Sequence, residues 1–439
     1  MAKSNKKRAA LHNLGCKVNA YETEVMQQLL EEDGYEIVDF TEEADVYVIN
    51  TCSVTNMADR KSRQMLHRAK KRNPDAIVVA AGCYAQTKTK EARLDESVDL
   101  IIGNNKKQDL TAALRAYEAD KSKAESIVEI NHRQPYERMS LKRTAGHTRA
   151  FIKVQDGCSQ FCSYCIIPYA RGRVRSRSFA DVLDEIRTLA SNGYQEIVLS
   201  GIHLSSYGTD IGENLLHLIK EASLIEGIRR IRLGSLEPGI VTEEFAEEIS
   251  KTEKICPHFH LSLQSGCDTV LKRMNRKYTT AEYKESCNRL RKYFDHPAIT
   301  TDVIVGFPGE TEAEFQMTKE YVKEIRFYEM HIFKYSRREG TKAAVMPDQV
   351  PEQIKTKRSE ELILLANEMS EEFRSFYTGC EAEVLMEEPF EKDGRKYFTG
   401  YTKEYVKIAV ETEENLSNSF VKGRVLGRID AAVYLMVEF

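Results

Sequence analysis

The sequence predicts an α/β protein in three parts: an open parallel sheet covered by helices, a partial (β/α)6 barrel, and a small all-β barrel. Three observations carry this reading. Apolar runs alternate with helical patterns in the N-terminal part, a second and longer strand–helix rhythm follows, and after Gly379 short alternating strands replace the helices.

In the first part the strands are expected at Ala9–Leu14, Asp45–Asn50 and Ala76–Ala81. Helices over Glu22–Asp33 and Met57–Arg72 separate them, with Leu and Met at helical offsets. From Asp120 to His147 the chain turns charged and irregular, with one strand-like SIVEI run, and reads as a connector. Strand candidates then recur at Phe151–Val154, Glu196–Leu199, Arg230–Leu233, His258–Leu263, Thr300–Val305 and Tyr328–Lys334. Helical patterns at Asp181–Asn192, Leu215–Ile225, Glu243–Lys251, Thr280–Tyr293, Glu312–Ile325 and Gln353–Phe373 complete the units, enough for an open, partial barrel. Strands at Glu383–Glu387, Tyr397–Tyr401, Val406–Val410, Ser419–Val425 and Ala432–Glu438 close the chain. The expected boundaries are 1–120, 121–147, 148–375 and 376–439.

With 439 residues, 41% hydrophobic and 30% charged, the chain suits a soluble globular protein of several domains. A net charge of −4 announces no broad nucleic-acid surface. The N-terminal Lys/Arg cluster meets only Ala9–His12 before a polar turn, too short for a signal sequence, and no run approaches the roughly 18 apolar residues of a membrane span. A cytoplasmic protein with no membrane or DNA partner is expected. In that reducing compartment the ten cysteines stay free or bind metal. Cys256, Cys267, Cys287 and Cys380 have no neighbour at ligand spacing and are expected to be free thiols.

Cys158, Cys162 and Cys165 lie in GCSQFCSYCIIP, a C-x3-C-x2-C run directly after the first barrel strand. Three thiolates on one loop can hold three irons of a 4Fe–4S cube and leave the fourth open. An open iron can chelate the amino and carboxylate groups of S-adenosylmethionine, whose sulfonium yields a 5′-deoxyadenosyl radical on one-electron reduction. A structural zinc site with a distant fourth ligand, such as His147, is the alternative. Cys16, Cys52 and Cys83 end three expected strands (HNLGC, VINTC, VAAGC), and parallel strands bring their carboxyl ends to one edge. Gly15 and Gly82 suit tight turns there; three buried structural cysteines is the alternative.

With both triplets in view, the chain resembles the methylthiotransferases of the radical S-adenosylmethionine superfamily. The resemblance runs through NLGCKVNAYETE, INTCSVTNMADRKSRQ, AAGCYAQ and DGCSQFCSYCIIPYARGRVRSR. It continues through LSGIHLSSYG, LGSLEP, HLSLQSGCDTVLKRMNRKY, DVIVGFPGETEAEF and YSRREGTKAA. The closing strands are similar to a TRAM domain, an RNA-binding barrel. The resemblance implies an auxiliary 4Fe–4S cluster on Cys16, Cys52 and Cys83, and a radical-generating one on Cys158, Cys162 and Cys165. One S-adenosylmethionine methylates a sulfur; a second is cleaved to a radical that activates a substrate carbon for methylthio transfer. An electron donor such as a flavodoxin or ferredoxin is implied.

Strand ends on the catalytic face of such a barrel are candidates for the cofactor pocket: Tyr164, Ser200, Gly201, Ser235, Glu237, Gln264 and the stretch from Val303 to Gly306. Ser200 and Gly201 stand where the superfamily usually has a Gly-rich strand end. Family members act on isopentenyladenosine in tRNA, threonylcarbamoyladenosine in tRNA, or an aspartate of a ribosomal protein. GCKVN and NTCSVT resemble the threonylcarbamoyladenosine group most, which implies methylthiolation of carbon 2 of that nucleoside at tRNA position 37. A non-catalytic iron–sulfur RNA-binding redox sensor is the reading from another class.

Basic residues cluster in two places. Arg60, Lys61, Arg63, Arg68, Lys70, Lys71 and Arg72 share a stretch without Asp or Glu, and Arg171, Arg173, Arg175 and Arg177 alternate, so an extended segment would put them on one face. A solvated basic helix and a salt-bridged loop are the competing readings. The C-terminal part carries 8 Lys/Arg against 12 Asp/Glu. RNA contact there would need local patches around Lys396 and Arg424, with Tyr397, Phe398 and Tyr401 for stacking.

Overall fold

A computed structural model describes residues 6–121, 124–132, 134–144 and 148–438. His147, the alternative zinc ligand, lies outside the described residues.

The first part is an all-parallel sheet of β1 (Arg8–Asn13), β2 (Glu36–Ile37), β3 (Val46–Thr51), β4 (Ile77–Gly82), β5 (Leu100–Ile102) and β6 (Ala124–Ser126), ordered β2-β1-β3-β4-β5-β6. β3 and β4 are buried along their whole length, as central strands covered on both faces must be. Helices α1 (Lys17–Glu32), α2 (Asn56–Arg72), α3 (Cys83–Thr87), α4 (Thr89–Leu94) and α5 (Leu110–Asp120) cover it. The Thr55 hydroxyl caps α2 by accepting from the Ala58 amide, and Lys70, Lys71 and Arg72 sit at the negative end of its dipole. The sheet reaches Ser126, past the expected boundary at residue 120. β6 is three residues held by the free edge of β5 and overlaps the expected SIVEI run only at Ser126. Residues 127–130 are not strand, since β5 ends at Ile102 and leaves them no edge to pair with.

The second part is the expected open barrel. Its strands are β7 (Arg149–Asp156), a short antiparallel β8 (Arg175–Ser176), β9 (Glu196–Gly201), β10 (Arg230–Leu233), β11 (His258–His260), β12 (Ala298–Val305) and β13 (Glu329–Lys334). They pair as β10-β9-β7-β8 and β11-β12-β13, joined by parallel bridges Ile231–Ile255 and Leu236–Leu261. The helices are α6 (Ile167–Arg171), α7 (Phe179–Ser191), α8 (Leu215–Ser223), α9 (Glu243–Ser250), α10 (Asp268–Arg273), α11 (Thr280–Tyr293), α12 (Glu312–Ile325) and α13 (Glu352–Ser375). α11 and α12 start in capping boxes, Thr279 with Glu282 and Thr311 with Glu314.

Strand alternation sorts the barrel side chains. Ala150, Ile152, Val154, Ile197, Leu199, Ile231, Leu233, Phe259, Leu261, Val303 and Val305 join the apolar core under the helices. The opposite parity, which faces the barrel interior, is largely polar: Arg149, Lys153, Gln155, Glu196, Ser200, Arg230, Arg232, His258, His260 and Asp302.

The third part is a closed barrel of β14 (Glu381–Lys392), β15 (Arg395–Tyr401), β16 (Lys407–Glu411), β17 (Phe420–Asp430) and β18 (Val433–Glu438), ordered β14-β15-β16-β18-β17. It docks on the amino-terminal ends of the central strands. Arg230 donates to the carbonyls of Tyr401 (2.9 Å) and Glu383 (2.7 Å), and Arg232 to that of Lys403 (2.9 Å). Arg149 pairs with Glu387 at 2.9 Å and lies over the rings of Tyr401 and Tyr405. The aromatics expected to stack on RNA are used elsewhere: Tyr397 and Phe398 are buried, and Tyr401 stacks on Tyr405 at this junction. Among the described residues no helix is long and apolar enough to cross a membrane.

Candidate catalytic chamber

Cys16, Cys52 and Cys83 follow β1, β3 and β4, which are neighbours in the sheet. Register brings their ends level: Asn13 pairs with Asn50, and Thr51 with Gly82. A Cβ added to Gly15 would lie 3.4 Å from the Cys52 Cβ, so the loop before Cys16 abuts Cys52. Gly82 has φ +91°, and a side chain there would meet the Asn50 side chain at 2.5 Å, so the turn that aims Cys83 needs glycine. Burial raises the Cys16 thiol pKa, with Arg171 opposing and Cys83 adding to the rise. Burial pushes Cys52 up to about 11, helped by Cys83 and Cys16. Each thiol therefore lies within electrostatic reach of the others.

The second triad is set by a loop pinned at several points. The Cys158 amide donates to the Gly172 carbonyl (2.9 Å), Ser163 bonds to Met274 and Arg273, and Asn275 donates to the Phe161 carbonyl (2.9 Å). Gly157, at φ +71°, brings its backbone so close that a Cβ would lie 1.9 Å from the Arg173 carbonyl oxygen. Burial pushes Cys158 up to about 11 and Cys165 up to about 12, and neighbouring cysteines add to both. Arg276 donates to the Cys162 sulfur (3.2 Å) and to Glu237 (2.6 Å). The two sets of donors fit clusters: three soft sulfurs each, charge neighbours of one another, with a buried guanidinium alongside.

Neither guanidinium was legible in its role. Arg276 stands inside a family-like run, but nothing in the spacing ties it to Cys162. Arg171, expected to meet RNA, is fully buried. It donates to Asn19 (2.6 Å) and pairs with Glu22 (2.9 Å) and Asp156 (3.1 Å). Burial alone would raise the Glu22 pKa, but Arg171, Lys107 and Lys153 together hold it well below the usual carboxylate range. Arg175 and Arg177 are buried too, paired with Asp156 and Glu185. The alternation fails because Arg171 ends a helix and only Arg175–Ser176 is strand. Arg173 alone of the four is exposed, its guanidinium 4.3 Å from the centre of the Phe161 ring.

The other expected pocket residues lie around the carboxyl ends of the barrel strands. Tyr164 packs against the cluster of Cys267, Met274, Phe307 and Tyr335. Ser200 is buried, and Gly201 leaves no room for a side chain beside Gln155. Ser235 is exposed, Glu237 is held by Arg276, and Gln264 takes φ +70° with its amide on the Asp302 carbonyl. The Gly306 amide donates to Glu310 (2.6 Å). Val303 is the exception: its side chain belongs to the core under the helices, while Asp302 and Ile304 take the inward parity.

The barrel interior is lined largely by polar side chains. Cys16 and Lys17 are exposed at the start of α1, which packs on β7 and β9. Burial, with Arg232 and Arg149, pushes the Lys17 ammonium down to about 8. His260, Asp302 and His331 bring their ligand atoms within 4.8 Å of one another, and His258 feels Arg232, Lys17 and His260. The N-terminal part closes over the barrel mouth through Arg338, which bonds Asp59 and Asn56 (both 2.7 Å).

The basic residues Arg60, Lys61, Arg63, Arg68 and Lys71 face solvent on α2, whereas Lys70 pairs with Asp99. Lys396 and Arg424 are exposed, with surface carboxylates nearby. Cys256, Cys267 and Cys287 are buried free thiols, and Cys380 is a half-buried one.

Two family models match: the radical SAM superfamily over residues 152–322, and uncharacterized protein family UPF0004 over 8–103. The chain is 43% identical over 420 residues to the threonylcarbamoyladenosine tRNA methylthiotransferase MtaB of Bacillus subtilis, covering 95% of this chain and 93% of that protein. A tRNA-2-methylthio-N(6)-dimethylallyladenosine synthase of Acetivibrio thermocellus is 36% identical, covering 96% of this chain and 88% of that protein. Among solved structures, the radical S-adenosylmethionine methyltransferase TsrM of Kitasatospora setae shares the fold, with TM-score 0.58 at 15% identity over 77% of this chain and 74% of that one. The chain belongs to the radical S-adenosylmethionine tRNA methylthiotransferases.

Proposed function

We propose that this enzyme methylthiolates carbon 2 of N6-threonylcarbamoyladenosine at position 37 of tRNA. The observation that carries the reading is the pairing of two cysteine triads on two parts of one chain, in a chain 43% identical almost end to end to an enzyme named for that nucleoside. The enzyme uses S-adenosylmethionine and 4Fe–4S clusters, which when bound supply the 5′-deoxyadenosyl radical, the methyl group and the sulfur chemistry. A carbon–hydrogen bond in a purine ring yields to a radical where acid–base chemistry has no purchase.

The chain's own residues bind, orient and exclude. Cys158, Cys162 and Cys165 would hold the cluster that serves S-adenosylmethionine, and Cys16, Cys52 and Cys83 would hold the auxiliary one. Arg276 and Arg171 offset the negative charge that three thiolates gather at each. Tyr164, Gly201, Ser235, Glu237, Gln264 and Gly306 form the cofactor's surroundings at the strand ends. The closed barrel and the N-terminal part cover the two ends of the chamber, which keeps water from a reactive radical. The cations of α2, with Arg173, Lys396 and Arg424, offer contacts to the tRNA backbone. Reduction comes from a flavodoxin or ferredoxin, and the enzyme works in the cytoplasm with its tRNA.

Nucleoside mass spectrometry on tRNA from a strain lacking the gene tests this. The 2-methylthio derivative of threonylcarbamoyladenosine disappears and its unmodified parent accumulates. An unchanged level of that derivative, or loss of 2-methylthio-isopentenyladenosine instead, contradicts the assignment.

A further inference from the structure

The proposed substrate carries a carboxylate on its threonyl group, and a carboxylate brought into a barrel interior must find a cation. Most cations there are already engaged. Arg149 pairs with Glu387, Arg232 with Glu196 (2.9 Å), and Arg230 bonds carbonyls of the closing barrel. Lys153 is shared between Glu22 and Asp156, at 2.7 Å each.

Lys17 differs. Among the described residues no hydrogen-bond acceptor or carboxylate lies within bonding distance of its ammonium, although Glu196 is near enough to be felt beside Arg232 and Arg149. It is the first residue of α1, where the helix dipole disfavours a cation, and it stands among other positive groups. Both features oppose stability, and no bond to the rest of the described chain offsets them. It directly follows Cys16, so an anion held by Lys17 would sit beside the first triad.

We infer that Lys17 is the specificity residue that binds the carboxylate of the threonylcarbamoyl group, selecting that nucleoside over neutral N6 substituents. The inference rests on the proposed function and extends it to one contact. Holding the carboxylate there would place the modified base beside Cys16, Cys52 and Cys83, the residues that would hold the auxiliary cluster.

The test uses reconstituted holoenzyme and two synthetic anticodon stem-loops, one with threonylcarbamoyladenosine and one with its methyl ester. A charge-assisted contact implies that the ester raises the wild-type KM by roughly ten- to a hundred-fold, with kcat far less affected. Lys17→Gln raises KM for the acid by a similar factor and no longer distinguishes acid from ester, and Lys17→Arg recovers part of the difference. Equal use of acid and ester by wild type overturns the inference, as does a Lys17→Gln enzyme that still prefers the acid. A raised KM for S-adenosylmethionine in Lys17→Gln, read from 5′-deoxyadenosine formation, overturns it by assigning Lys17 to the cofactor's carboxylate. If Lys17→Gln binds less iron, the wild-type comparison decides alone. A wild-type enzyme that ignores both stem-loops sinks the substrate assignment itself.

Discussion

Glu22, on α1, is surrounded by Arg171, Lys107 and Lys153, and Arg171 also donates to Asn19, close to Cys16 in the chain. A buried charge network of this kind costs desolvation and is strongly destabilising to break. Glu22→Gln is therefore expected to lower stability by about 3–5 kcal/mol and to weaken the hold on the first cluster. Urea unfolding and iron content read the two effects. The pH sign follows from the depressed Glu22 pKa. Its stabilisation is complete above the ordinary carboxylate range near 4.5 and is lost as pH falls through its lower folded value, so metal-free protein should lose stability below about pH 4 in wild type more than in Glu22→Gln. Among the cysteines, replacing Cys158, Cys162 or Cys165 by Ala should abolish cleavage of S-adenosylmethionine. Replacing Cys16, Cys52 or Cys83 should spare some cleavage and eliminate methylthiolation; 5′-deoxyadenosine and product assays separate the two.

At the scale of elements, α2 and the segment around Arg175 look alike in sequence and behave oppositely. Both are rich in cations. α2 lies on the outside of a sheet with one apolar stripe, Leu66 and Ala69 inward, so its cations point to solvent. The Arg171–Arg177 segment threads between α1, β7 and α7, where Glu22, Asp156 and Glu185 await it. Reversing Arg60, Lys61 and Arg68 to Glu should thus weaken tRNA binding and flatten its salt dependence, by roughly 0.7–0.9 in the log–log slope for each phosphate no longer neutralised. Arg175→Ala should lower the melting temperature instead. Filter binding across salt concentrations and a thermal melt distinguish them. α11 and α12 fall where their Thr-x-x-Glu caps announce them, because a capping box is a local device. β6 and the reach of α1 back to Lys17 were not legible, since one depends on a neighbouring strand edge and the other on a Cys N-cap without a side-chain bond.

The molecule as a whole is a barrel closed from both ends by parts of its own chain. Arg149, Arg230 and Arg232 form a charged floor that shares Glu196 and bonds the closing barrel. Deleting residues 376–439 should expose these groups and lower the unfolding midpoint of what remains, beyond any loss of tRNA affinity. The two triads were legible because one is a compact motif and the other follows from strand ends along a parallel sheet. The contacts of Arg171 and Arg276 with them were not, because only three-dimensional proximity brings those side chains to the thiols.

Iron content tests the two-cluster arrangement most directly. Wild type should hold about eight irons per chain, and the triple Ala variants of either triad about four, each with the cluster of the intact triad. A variant lacking Cys16, Cys52 and Cys83 that still bound about eight irons, or one that lost all of them while remaining folded, would contradict two independent thiol cradles facing one chamber.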